Sequence, residues 1–252
     1  MSPRARLAMF VGGGLGLVVL LLWGIGGLPG FGSSESQYAD YLNANAVHQR
    51  HATNVVSAVT FDYRGFDTLG EEFILFAAVI GVTLLLRSQR DEHDESAARS
   101  RAEDRRTGGD TSDAVRAATL ALIGPAILLG LYVVAHGQLT PGGGFQGGAV
   151  LAAAPVLLFL SGRYLLLRNV HPMHALDLAE GTGAGGFTVV ALAGLVAGSA
   201  VMANFLPKGE VGSVFSGGTI PVFNVLVGLE VAAGITLVLY EFLEQTLVVR
   251  GR

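Results

Sequence analysis

The spacing of its apolar blocks most constrains what this chain can fold into. Six runs follow one another, Leu7–Leu28, Phe73–Leu86, Ala118–Ala135, Phe145–Leu167, Phe187–Phe205 and Ile220–Phe242, and most of the charge lies in the intervals between them. Crossing ~30 Å of hydrocarbon at 1.5 Å per residue takes about 20 residues. A helix of that length satisfies its own backbone hydrogen bonds, which lipid demands. The pattern predicts an all-α integral membrane protein of about six transmembrane helices. Charged residues make up only 14% of the chain, against about 25% in soluble domains. The 36 glycines are about twice average usage and suit membrane helices whose backbones approach closely. The lack of cysteine excludes disulfides, thiolate metal sites and a Cys nucleophile. No basic face is present, so nucleic acid is not an expected partner.

Leu7–Leu28 follows Arg4 and Arg6, exceeds the usual ~7–15-residue core of a signal peptide and lacks a tight small-residue cleavage site. It reads as an uncleaved first helix, with Gly12 and Gly16 as a small-xxx-small pair. Pro29–Asn54 reads as a loop, followed by a short helix from Val55 to about Phe61 that breaks at Tyr63–Asp67. Thr68-Leu69-Gly70-Glu71 matches a capping box. Phe73–Leu86 alone is short for a span, and counting from Leu69 puts Glu71 and Glu72 inside it, so the second helix is expected to start with carboxylates near the membrane edge. Ser88–Arg116 alternates Arg with Asp and Glu, as a solvated linker does. The expected organisation is a module at 1–90 with two spans, a charged cytoplasmic linker at 91–114, and a module at 115–252 with four.

The positive-inside rule checks this arrangement independently. With the N-terminus in the cytoplasm, thirteen basic residues face inward and only Arg50, Arg64 and Lys208 face outward, of 16 in the chain. Both termini are then cytoplasmic, and the segment His136–Ala149, between the third and fourth blocks, is an outward-facing hinge.

Ionisable groups in or beside spans are costly and tend to face a bundle interior, a partner or water. Glu71 is either the reciprocal partner of the capping box or a proton- or cation-carrying group, and both can hold. Glu230 lies about ten residues into the last block, beyond any capping role, and must be neutral, paired or beside water. Asn224 lies earlier on the same helix as a candidate for the same face. Asp177 and Glu180 suit the positive end of the fifth helix, or a cytoplasmic proton access with His171 and His174. His136 is an interfacial histidine donating to a carbonyl or an outer proton relay. No second histidine or carboxylate stands at ligand spacing beside it, so no metal site is expected. Gly142-Gly143-Gly144 lacks the lysine and hydroxyl of a phosphate loop and reads as a tight turn, with Gly143/Gly147 and Gly144/Gly148 extending helix contact into the fourth span. No G-x-S-x-G motif is present. The chain is read as a transporter component without cofactor, not an enzyme.

The segment Tyr132–Ala149, with His-Gly-x-x-Thr-Pro-Gly-Gly-Gly-Phe-Gln-Gly-Gly, closely resembles the signature of the B subunit (MnhB/MrpB type) of Mrp multisubunit sodium/proton antiporters. The resemblance extends over about 115–248 and includes Asn224-x-x-Val-Gly-Leu-Glu230. Asn54-Val-Val-Ser-Ala-Val, followed by Asp62-Tyr-Arg-Gly-Phe-Asp67-Thr68-Leu-Gly-Glu71, resembles the C-terminal part of the large antiporter protein of the A type, a piece that also occurs as a small separate (MbhE-like) protein related to membrane-bound hydrogenases. The resemblance implies a fusion of the two within a large membrane complex that exchanges cytoplasmic sodium for external protons. It places the motif glutamate on Glu71 and the hinge proline and phenylalanine on Pro141 and Phe145; many relatives have a second histidine where this chain has Gln138. Implied partners are other antiporter subunits, Na+, H+ and the cell-membrane bilayer. A complex-I-related, hydrogenase-type complex and a purely structural subunit stand as alternatives. A reporter enzyme that works only outside the cytoplasm should be active when fused near Thr140 and silent near Arg101; the opposite pattern would overturn the topology.

Overall fold

The structure, a computed structural model, describes residues 3–28, 30, 36–86, 111–162, 173–198 and 200–250. The described residues form eight α-helices and no strand: α1 (Pro3–Gly26), α2 (Gln37–Arg50), α3 (Val55–Ala58), α4 (Gly65–Leu86), α5 (Asp113–Ala135), α6 (Gly144–Leu160), α7 (Met173–Gly198) and α8 (Ile220–Arg250), with a π-helical turn at Val59–Tyr63 between α3 and α4. Most of the linker, and His171, lie outside the described residues.

Five of these helices contain apolar spans of 22 to 26 residues: Arg4–Gly26, Gly65–Leu86, Asp113–Ala135, Met173–Gly198 and Ile220–Leu243. The sixth, α6, has 17 residues, or about 25 Å; the rest of its expected block, from residue 163, lies outside the described residues. The chain is a multi-pass, all-helical membrane protein.

Several local expectations are corrected. The loop expected at Pro29–Asn54 contains α2. The Ser36 hydroxyl accepts from the Ala39 N–H at 3.2 Å at its start, and Leu42 and Ala46, one turn apart on one face, are buried. Two apolar contacts in a polar segment left little pattern to read. The capping box at Thr68 does not form. The chain passes from the π-helical turn into α4 at Gly65, with Arg64 N–H donating to Val59 O at 2.8 Å, and the Thr68 hydroxyl donates to Thr60 O at 2.6 Å. Asp67, in the first turn, pairs with Arg64. The helix expected from Ala118 begins at Asp113, where Ser112 accepts from the Val115 N–H at 3.3 Å; the acidic tail of the linker is its first turn, as the helix dipole favours. The helix expected from Phe187 begins at Met173 and ends at Gly198, so Asp177 and Glu180 lie inside it. Its glycine-rich first half diluted the apolar signal.

Two compact units divide the chain, residues 1–41 and 42–252. In the first, α1 exposes large apolar side chains on all sides, Phe10 and Trp23 among them, as a lipid-immersed helix does. In the second, α8 is central: more than half of its span is buried, far more than in the other spans. It packs on α4, α6 and α7, and α5 lies against α6. The α6 and α8 chains run in the same direction from the hinge end, with α5 and α7 antiparallel to them.

Lipid is as apolar as leucine, so close packing rather than water exclusion joins these helices. A β-carbon on Gly148 would lie 2.7 Å from the Gly228 carbonyl of α8, and one on Gly147 2.7 Å from the Gly130 carbonyl of α5. On the other side of α8, a β-carbon on Gly183 would lie 2.6 Å from Cβ of Glu230 and 2.8 Å from the Leu226 carbonyl. Near the hinge end Phe61, Phe187 and Phe223 form an aromatic core, with Phe61 stacked on Phe223 at 5.9 Å and Phe187 tilted against Phe223 at 4.6 Å. Gly148→Leu should cost about 1–3 kcal/mol by overpacking and lower the melting temperature in detergent. Gly181→Leu, with nothing within 4 Å of its β-carbon position, should leave it unchanged.

Candidate functional site

The site is built where the hinge, the 50–67 segment and the start of α8 meet. Two buried asparagines join them. Asn54 caps α3 by accepting from the Ser57 N–H at 3.3 Å, and its amide donates to the carbonyls of Gly137 at 2.7 Å and Thr140 at 2.9 Å. Its own N–H donates to Gln138 O at 3.0 Å. Asn224 accepts from the Gly144 N–H at 2.8 Å and donates to the Ser57 hydroxyl and Ile220 O, both at 3.1 Å. The loop before α8 is tied to the same assembly. Gln138 donates to Val214 O at 2.6 Å. Asn204 donates to Asp62 at 2.8 Å, and Asp62 also pairs with Arg50 at 2.6 Å. Residues 50–62 are thus stitched to the hinge, the 204–214 loop and the start of α8.

The hinge requires its glycines. Gly142 and Gly143 have φ of +134° and +152°, and a β-carbon on Gly142 would lie 2.8 Å from Val133. Pro141 and Phe145 are exposed on the turn. His136 caps the end of α5: its Nδ1 donates to Tyr132 O at 3.0 Å, and its ring stacks on Tyr132 at 4.2 Å. It does not line the cavity described next.

Beneath the hinge lies a cavity of about 380 Å³. Its polar lining comes from Ser57, Thr60, Thr68, Glu71, Glu72, Gln146 and Asn224, and Phe61 and Leu75 are among its apolar walls. Glu71 is exposed at this cavity, whereas Glu72 turns into the bundle with 6% of its surface exposed. Glu72 meets Glu230 of α8, which is fully buried. The two carboxyl groups interact, yet neither Glu230 oxygen, nor Oε2 of Glu72, has a partner at ordinary hydrogen-bond geometry among the described residues. Glu180 of α7 is 5% exposed. Its Oε1 comes within 3.8 Å of the β-carbon position of Gly234, one turn beyond Glu230. The structure thus brings Glu72, Glu230 and Glu180 together from three helices, with Asp177 one turn from Glu180.

Asn224 does not share the face of Glu230. Six residues at about 100° each set the two some 240° apart around the helix, and Asn224 turns to the hinge while Glu230 meets Glu72. Glu180 lies past the first turn of α7, so the helix dipole alone does not account for it. His174 is exposed, one turn before Asp177 on α7. The acid that sequence reasoning passed over is Glu72. Gly65, Thr68, Glu72, Val79 and Thr83 are the buried positions along α4, and their helical spacing marks the inward face, next to which Glu71 stands exposed.

Comparison with known proteins agrees with this arrangement. A domain described as related to the MnhB subunit of Na+/H+ antiporter matches residues 114–237, and the MbhE family, the E component of MBH, matches residues 5–103. An uncharacterised protein of Methanocaldococcus jannaschii is 31% identical over 211 residues, 76% of this chain and 78% of that protein. The chain belongs to the MnhB family, joined to an MbhE-type segment. This MbhE–MnhB chain is also 28% identical, over 58% of its length, to a probable K(+)/H(+) antiporter protein of Rhizobium meliloti that combines the A and B components, but spans only 17% of that larger protein. Two solved structures share the fold. One is a chain of the membrane-bound sulfane sulfur reductase, an archaeal respiratory membrane complex, at TM-score 0.68 and 28% identity, covering 96% of this chain and 99% of that one. The other is a chain of the Mrp complex from Dietzia sp., at 0.66 and 25% identity, covering 96% and 26%. Asn54→Ala should remove the clasp between the MbhE-type segment and the hinge and leave buried carbonyls unpaired. It should destabilise the chain by about 1–3 kcal/mol, read as a lower melting temperature in detergent.

Proposed function

We propose that this chain is a membrane subunit of a multisubunit monovalent cation (Na+)/proton antiporter, contributing to ion translocation and to assembly of the complex. The observation that carries the reading is the group of buried carboxylates Glu72, Glu230 and Glu180, of which Glu72 lines the hinge cavity, in a chain whose residues 114–237 are matched by a domain related to the MnhB subunit of Na+/H+ antiporter. Buried acids inside spans are expensive and mark ion or proton pathways. Within this reading Glu71 stands at the cavity, Glu72 and Glu230 lie in the interior, and Glu180 and Asp177 continue toward the far end. His136, Pro141, Phe145 and the hinge glycines shape the turn above. The protein lies in the cell membrane with both termini cytoplasmic, the hinge outside, the linker at 91–114 inside, and the MbhE-type and MnhB-type modules at 1–90 and 115–252. The partners are the larger antiporter subunits that complete the pathway.

A second reading has a specific observation in its favour. The respiratory-complex chain is matched over 99% of its length, whereas the Mrp chain is matched over a quarter of its own. The same helices would then serve a redox-driven complex whose electron carriers lie in other subunits. Purification in mild detergent separates the two readings. The antiporter reading expects large membrane subunits to co-purify, and Na+-driven proton movement in vesicles to vanish on deletion of this chain and return with its restoration. Co-purification of iron–sulfur subunits, with ion movement only when an electron donor is added, would establish the respiratory reading instead. Exchange that persists without the chain would reduce it to a structural part.

A further inference from the structure

We propose that Glu72, Glu230, Glu180 and Asp177 form a conduit for protons that excludes Na+, filled from the hinge-side cavity at Glu72 and discharging at the opposite end beside Asp177. This rests on the antiporter reading and names the ion that this particular route carries.

The positions of the acids make a route. Glu72 lies seven residues into α4 and Glu230 ten residues into α8, both counted from the hinge end, which places them about 10 and 15 Å along their helices. Glu180 and Asp177 lie seven and four residues into α7, counted from the opposite end, or about 10 and 6 Å along it. Together they step across the bundle. The cavity has room for several waters and is lined in part by Glu72 and Phe61, the latter in the aromatic cluster with Phe187 and Phe223. Each of the three interior acids is more than nine-tenths buried and has an oxygen with no hydrogen-bond partner.

The chemistry of the surroundings selects the ion. A bare cation replaces its water shell with several oxygens at once. Uncharged oxygens are concentrated on the hinge side of Glu72: Thr68 is engaged with Thr60, and Asn224 with Gly144 and Ser57. Beyond Glu72, α7 meets Glu230 at Gly183, which brings no side-chain oxygen. A cation there would have the carboxyl groups of Glu72 and Glu230 in place of the several oxygens of its water shell. A proton needs a single oxygen. Among the described spans α4 contributes Asp67, Glu71 and Glu72, α5 Asp113, Arg116 and Tyr132, α7 Asp177 and Glu180 with exposed His174, the α8 span Glu230, Tyr240 and Glu241, and α6 nothing titratable, while Arg50 and Arg64 pair with Asp62 and Asp67. Two facing carboxylates without counter-charge repel each other, and one proton held between them removes that repulsion. In each step the O–H bond on one carboxyl breaks as an O–H bond forms on the next carboxylate.

The test uses the complex purified with its partners and reconstituted in liposomes. Glu230→Gln and Glu72→Gln should lower Na+-driven proton flux about a hundredfold, in the range of a lost proton-transfer group. Isotopic Na+-for-Na+ exchange at equal pH should stay at the wild-type level, and co-purification should be intact. Glu210→Gln, in the exposed loop, should change neither flux. Loss of isotopic Na+ exchange together with proton flux in an assembled Glu230→Gln complex would overturn the proposal. If Glu230→Gln does not assemble, Glu230→Asp, which keeps the acid, should assemble and retain proton flux, and its failure to carry protons would overturn the proposal. Infrared difference spectra give a separate reading: a deuterium-sensitive carboxylic-acid band present in the wild type and lost in Glu230→Gln. Abolition of that band by Na+ would also overturn the proposal. A wild-type complex with no exchange but with the Na+-insensitive band would defeat the antiporter reading and leave the proton conduit standing.

Discussion

Close backbone approach to α8 is the constraint on which the rest of this structure depends. Gly144 and Gly148 let α6 lie directly on the backbone of α8 along one side, and Gly183 does the same for α7 on the other. In a bilayer no water exclusion draws these helices together, so contact of this intimacy is a main source of cohesion. It also has a chemical consequence. With no side chain on Gly183 the space beside Glu230 is closed by backbone, and a carboxylate that could have faced lipid or water is enclosed in protein.

The polar clasp at the hinge end supplies what glycine packing cannot, a fixed register between segments far apart in sequence. Asn54 and Asn224 each satisfy partners from separate elements, and buried amides of this kind are costly to leave half-bonded. The clasp fixes where α4 begins, through the π-helical turn and the Thr68–Thr60 hydrogen bond, and therefore which face of α4 turns inward. A shift of one residue would exchange Glu72 for Glu71 at the interior. Turns of π-helix often occur at functional positions, and here the turn sets the rotation of the helix that carries the acid.

Much of this architecture was legible in the residues. The apolar blocks, the charge asymmetry and the hinge motif point to a multi-span fused chain, and Glu230 stands out as an acid that no helix end can account for. Other features were hidden for identifiable reasons. Helix α2 has too few apolar positions to show a period, and the first half of α7 is so rich in glycine that its hydropathy falls although it is helical. Glu180 reads as an acid at a helix start only while that start is placed too late. The choice between Glu71 and Glu72 cannot be made from adjacency; it needs the phase of the buried face, which Thr68, Val79 and Thr83 mark only once α4 is known to begin at Gly65.

Sequence alone determined that this chain lives in a membrane, since runs of about 20 apolar residues have no stable alternative outside lipid. It also determined which family the chain resembles, because the hinge and the Asp62–Glu71 segment are local motifs. Only the tertiary structure decided which acids meet. Glu72, Glu230 and Glu180 come from three different helices spread along the chain, and their meeting depends on helix rotation and on backbone spacing at Gly183 and Gly234. Neither quantity is encoded in any one segment: each is set by packing between helices, where a rotation of one residue, about 100°, separates a lipid-facing acid from a buried one.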